Sequence, residues 1–214
     1  MTRVLLTGFE PFDGEEVNPS WQAVRAAAER PPAGLDLTTA LLPCAFGTSL
    51  DVLRAAVEDS APDVVLCVGQ AGGRPDVTVE RVAVNLADAR IPDNAGAQPL
   101  DEPVVPAGPA AYFARLPVKA CVTAVREAGL PASLSHTAGT FVCNHVFYGL
   151  LHLAATERPA LRGGFVHVPY TPAQVADRTL PSLPVSTTAE ALRVIAVTAA
   201  HRTEDIRAVG GATH

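Results

Sequence analysis

Lysine occurs once in this 214-residue sequence, at Lys119, and no basic run or arginine stripe makes up for it. With a formal net charge of -6, the chain lacks the electrostatic footprint of a protein that grips a phosphate backbone. Nucleic acid is therefore not an expected partner. Long apolar runs are missing too: no stretch approaches the roughly 20 residues needed to cross a bilayer. The opening "MTRVLLTGFEPF" has no basic segment leading into a long apolar one, so it reads as a first strand and not as a secretory signal. A cytoplasmic protein is expected. No CxxC pair exists, which argues against a zinc knuckle. The four cysteines, Cys44, Cys67, Cys121 and Cys143, fit that compartment as free thiols. Cys67 in "DVVLCVG" and Cys121 in "VKACVTAV" read as small buried hydrophobes.

What the chain does have is an alternation of strand-like and helix-period runs. Strands are expected at 3–9, 35–43, 63–69, 76–86 (with a possible bend), 131–136 and 164–170. Helices are expected from Asn18, as N-cap with Pro19 at the first position, and at 47–60, 118–129, 142–156 and 188–202. Residues 87–118, rich in proline and glycine, read as a long functional loop with a short strand or helix inside it. No repeat or linker divides the chain, so one domain over 1–214 is expected. The pattern predicts a three-layer α/β/α sandwich around a mostly parallel, mixed sheet. In such sheets ligands bind beyond the carboxyl ends of the strands. "TGFEPFDG", "VGQAGGR", "HTAGTFVCN" and "VHVPY" lie where that site would be.

Cys143 falls in or beside the first turn of the helix predicted at 142–156. Free N–H groups and the positive end of the helix dipole lie there, which favours a thiolate and can steady an oxyanion. It is a candidate nucleophile, and the alternative is a cysteine that only packs. His145 is two residues on and faces away. His152 is about 13 Å along the axis at 1.5 Å per residue. Both read as packing or surface residues. His201 suits the end of the last helix, and His214 is the terminus. His136 and His167, both in predicted strands, remain open as the base, and a histidine satisfied within the core is the other reading of His167. Glu80 stands on a strand face with Thr78, Val82 and Val84 if that strand is regular, and a carboxylate among valines needs a partner. An acid that orients an imidazole is one explanation; an ion pair, for instance with Arg81 or Arg90, is the other.

Six blocks carry a resemblance: "TGFEPFDGEEVNPSW", "GQAGGR", "VERVAVNLADARIPDNAG", "LPVKA", "TAGTFVCNH" and "GFVHVPYTPAQ". In this order, from about residue 4 to residue 174, they are similar to pyroglutamyl peptidase I, the pyrrolidone-carboxylate peptidases. The last forty residues match only loosely. The resemblance implies a cysteine peptidase that removes an N-terminal pyroglutamyl residue from peptides, with no metal or organic cofactor. It implies a triad of Glu80, Cys143 and His167, preferring His167 over His136. It also implies that Phe9, Phe12 and Phe141 enclose the pyroglutamyl ring and that Asn18, Gln70 and Arg90 belong to the active site. A homotetramer is implied in the same way. One departure stands out: Asp13 replaces the second glycine of the family's "FEPFGG", adding a charge at the rim of the ring pocket. Two rivals remain. A nucleoside-phosphorylase-like transferase would need a basic phosphate site, and no Gly-rich loop with lysine is present. A non-catalytic binding homologue would not need its triad positions intact.

Overall fold

A computed structural model describes residues 1–211; His214 lies outside them. Within these residues the order is β1 (Thr2–Phe9), α1 (Pro19–Ala28), β2 (Leu35–Leu42), α2 (Thr48–Ser60), β3 (Val64–Gln70), β4 (Val77–Glu80), β5 (Val82–Val84) and β6 (Ala111–Phe113). Then come α3 (Val118–Glu127), β7 (Ala132–Ser135), α4 (Val142–Thr156), β8 (Arg162–Val168) and α5 (Val185–His201). The main sheet runs β2-β1-β3-β8-β4-β7. All neighbours are parallel except β4 and β8, which pair antiparallel. α1, α3 and α5 pack on one face around Val4, Leu6, Leu66, Val79 and Val166. α4 and α2 cover the other around Leu5, Cys67 and Phe165. The predicted three layers and mixed sheet are therefore present.

Local chemistry explains the boundaries. Asn18 caps α1 by accepting from the Ser20 N–H at 3.1 Å, and Pro19 fills the first helical position, where no N–H is needed. α5 begins at Val185, earlier than the predicted 188, because Thr188 bonds back to the Pro184 carbonyl and is accommodated inside the first turn. β8 ends at Val168, ahead of Pro169, which has no N–H for a ladder. The strand expected over 76–86 is broken. β4 stops at Glu80, and β5 leaves for a two-stranded sheet with β6 from the long loop. Val82 and Val84 therefore do not share a face with Glu80, as a regular strand would require.

Candidate active site

The reversal of β4 brings the site together. In the antiparallel register Thr78 stands opposite His167. The same register continued sets Glu80 level with Phe165, one step deeper into the sheet than the histidine. Glu80 has no exposed surface and His167 is 3% exposed. The Nδ1 of His167 lies 2.7 Å from Glu80 Oε1. With Nδ1–H donating to the carboxylate, Nε2 carries the lone pair and is the nitrogen free to accept a proton.

Cys143 occupies the second position of α4, above the same face. A Cβ built on Gly69 would stand only 2.7 Å from the Cys143 sulfur, and Gly69 is the β3 register partner of His167. Paired residues on adjacent strands project to the same side, with strands about 4.8 Å apart. Sulfur and imidazole thus lie over neighbouring strands on one face, with only a glycine beneath the sulfur. The N-cap of α4, Phe141, supplies no side-chain cap, so the first-turn N–H groups are left for a ligand.

The electrostatics correct one expectation. The helix terminus was expected to lower the thiol's pKa, but burial pushes the Cys143 thiol up, with Cys44 and the Glu80 charge adding to the rise and Arg74 opposing it. The resting nucleophile is a thiol and needs a base. Burial likewise holds His167 below the usual histidine range despite its bond to Glu80, so the imidazole is neutral and can act as that base. Burial alone would raise Glu80, but the hydrogen bond from His167, together with the Arg74 charge, outweighs it and keeps the carboxylate ionised.

A groove of about 330 Å³ opens between the early loop, the end of β3 and the turn before α4. It is lined by Phe12, Gln70, Arg90, Phe141, Thr140 and Tyr170, with Asp13 and Asp88 at its exposed rim. The rings of Phe12 and Phe141 are 6.2 Å apart, and Phe46 meets Phe141 edge-on at 5.3 Å. Gln70 follows Gly69, and Phe141 precedes Cys143 by two residues, so groove and thiol share their walls. Two expected binding residues are placed otherwise. Phe9 is fully buried against Phe165, behind the groove's lining. Asn18 is spent on capping α1 and on the Glu10 carbonyl at 3.0 Å. Asp13 has φ +54, the left-handed backbone that glycine adopts freely, which gives the family's glycine preference a physical reason.

His136 is exposed on a bend after β7, the edge strand of the sheet, two strands from β8 and three from the β3 glycine beneath the thiol. His152 packs on Tyr148 and bonds the Tyr112 hydroxyl. His145 is buried, accepts from the Gly47 N–H through Nε2, and leaves Nδ1 without a partner. Burial pushes its pKa from 6.5 down to about 4. The unfolded chain, titrating near 6.5, therefore binds the proton first as the pH falls. Stability should be complete above about pH 6.5 and decline toward pH 4, by about 3 kcal/mol from this residue at about 1.4 kcal/mol per pH unit. Urea unfolding at pH 7 and pH 5 checks this; an unchanged midpoint would contradict it, and His145→Gln should flatten the dependence.

The partner of Glu80 is neither Arg81 nor Arg90. Arg81 lies over the Phe113 ring at 6.0 Å, and Arg90 is in the groove. The ion pair is with Arg74, whose Nη1 is 2.6 Å from Glu80 Oε1. Arg74 ends "GQAGGR", immediately ahead of the strand bearing Thr78 and Glu80, and that position was the available signal. Asn144, also not singled out, is fully buried and fastens the start of α4 to the Val84 backbone and the Leu86 carbonyl.

The sequence model of the pyroglutamyl peptidase family matches residues 2–202, beyond the last resembling block at 174. The pyrrolidone-carboxylate peptidase of Streptomyces coelicolor is 65% identical over 216 residues, covering 100% of both chains. That of Bacillus subtilis is 52% identical over 212 residues, covering 99% of each. The crystal structure of pyroglutamyl peptidase I from Bacillus amyloliquefaciens superposes with a TM-score of 0.95 at 48% identity, over 97% of this chain and 99% of that one. A variant pyrrolidone carboxyl peptidase from Pyrococcus furiosus gives 0.89 at 39% identity, over 92% of this chain and 98% of its own. With a buried acid–imidazole pair beneath a helix-borne thiol, and full-length likeness in both sequence and fold, this chain belongs to the pyroglutamyl peptidase family.

Proposed function

We infer that the protein is a cysteine peptidase that hydrolyses the amide bond after an N-terminal pyroglutamyl residue. The observation that supports its chemistry best is the Glu80–His167 bond of 2.7 Å on the sheet face that Cys143 covers, one strand from the glycine beneath its sulfur. Cys143 attacks the scissile carbonyl while Nε2 of His167 takes the thiol proton, since burial disfavours a free thiolate. The first-turn N–H groups of α4 receive the oxyanion. His167 passes the proton to the leaving amine, and a thioester to Cys143 remains. Water, deprotonated by His167, hydrolyses that thioester and releases pyroglutamate. Glu80 keeps Nδ1 protonated throughout and so fixes the tautomer. No metal or organic cofactor enters any step.

Pyroglutamate is a flat lactam without an ammonium group. The tilted rings of Phe12 and Phe141 supply an apolar wall for it, and Gln70 and Thr140 supply polar contacts for its N–H and C=O. An N-terminal glutamine would bring an unpaired charge against those rings and be rejected. Phe12→Ala is expected to lower kcat/KM by about tenfold to a hundredfold, the scale of a lost apolar contact of 1–3 kcal/mol. Steady-state kinetics on a pyroglutamyl amide measures this, and parent values would place the ring elsewhere.

The decisive assay is hydrolysis of a chromogenic pyroglutamyl amide, with and without iodoacetamide. Absence of turnover in the untreated protein would overturn the reading, and phosphate-dependent release of a nucleobase would replace it with the transferase. A single catalytic domain, a homotetramer and a cytoplasmic location belong to the same reading, supported by the family resemblance and the free thiols. Sedimentation equilibrium tests the tetramer.

A further inference from the structure

Arg74 sits on the loop between β3 and β4, and its guanidinium binds three residues on two segments at once. Nη1 donates to Thr78 Oγ1 at 2.5 Å and to Glu80 Oε1 at 2.6 Å. Nη2 donates to the Thr137 carbonyl at 2.9 Å. Oε1 is the oxygen that also receives Nδ1–H of His167. Thr137 lies in the turn that leads to Phe141 and Cys143. One side chain therefore joins the acid of the site to the approach to its nucleophile.

We propose that Arg74 is a positioning residue of this site: its fork fixes the Glu80 carboxylate against His167, and its fixed charge keeps the imidazole in the neutral form that accepts the thiol proton. The proposal rests on the Glu80–Cys143–His167 reading above. A guanidinium presents its donors in a rigid plane, which is what binding two oxygens on one side and a carbonyl on the other demands. The groups that bear on His167 are Glu80 from β4, Arg74 from the loop before it and Cys143 from α4. Thr78 and Phe165, its nearest sheet neighbours, are uncharged, and Cys67 on β3 is a buried, protonated thiol. The Arg74 charge is the only cation of this set. It opposes the Glu80 carboxylate, whose field favours the imidazolium.

A purely structural counterion for a buried carboxylate would also be needed for stability, so stability alone does not discriminate. The pH profile of kcat/KM does. In Arg74→Gln the Glu80 charge acts on His167 unopposed, and the acid limb should move to higher pH, with kcat down by about a hundredfold from lost alignment. Arg74→Lys keeps the charge but not the fork; its acid limb should stay with the parent's while kcat falls and KM does not change. An acid limb in Arg74→Gln that coincides with the parent's overturns the proposal. So does a lysine variant with parental kcat, which also covers the case in which the glutamine variant fails to fold by circular dichroism. Cys143→Ala runs alongside: turnover there would overturn the triad itself, whereas an inactive Cys143→Ala beside an unmoved limb overturns only the role of Arg74.

Discussion

Cys143→Ala is expected to abolish hydrolysis of a pyroglutamyl amide, with a loss of about 10⁶-fold, the scale found when a triad nucleophile is removed. The physical case is that no other thiol can substitute. Cys44, Cys67 and Cys121 are buried, out of a substrate's reach. Cys143 is the one partly exposed cysteine, and it stands over Gly69, the register partner of His167. The substitution removes one sulfur from above Gly69, so the cost to folding is about 1 kcal/mol, the scale of a single buried group. Iodoacetamide should therefore label the parent at one site and the variant at none, with unchanged circular dichroism. Turnover within about a hundredfold of the parent would remove Cys143 from the mechanism.

Glu80→Gln should cost about 10³- to 10⁴-fold in kcat, as the corresponding acid-to-amide change does in serine triads. The amide can present its NH₂ to Nδ1, which then holds the lone pair and leaves the proton on Nε2. That tautomer cannot accept the thiol proton. The exchange also leaves Arg74, about a quarter exposed, without its carboxylate, so a drop in stability accompanies the loss of rate. The two effects separate on a temperature scale: kinetics measured well below the variant's melting temperature report only the tautomer. A kcat within about threefold of the parent would make Glu80 a structural anion and nothing more.

The layer order was legible because each layer has its own period. Continuous apolar runs such as "DVVLCVG" could only be strands covered on both sides, and helix α4 was read at 142–156 from its apolar spacing alone. Glu80 announced itself as a carboxylate in an apolar strand. Its partner did not, because ion pairing across a loop leaves no periodicity: Arg74 is near in sequence but reaches Glu80 only when β4 turns against β8. The reversal was equally invisible. Four-residue strands carry no mark of direction or of place in the sheet, and without these His136 and His167 both stayed open. The family motifs chose between them; the strand order, which leaves His136 on the exposed edge and His167 beside β3, supplies the physical reason. The thiol's environment was misjudged for a related cause. A helix terminus can be read from sequence, but the burial around it cannot, and burial is the largest cause of this thiol's raised pKa.

The missing side chain at position 69 carries a consequence for mutational tolerance. Even one methyl there would collide with the reactive sulfur and with the Phe165 ring. A saturation library selected on turnover would therefore find residue 69 nearly as intolerant as 143, although it takes no part in proton or acyl transfer. Variants there that still fold should lose their chemistry: the space a nucleophile needs is encoded as strictly as the nucleophile.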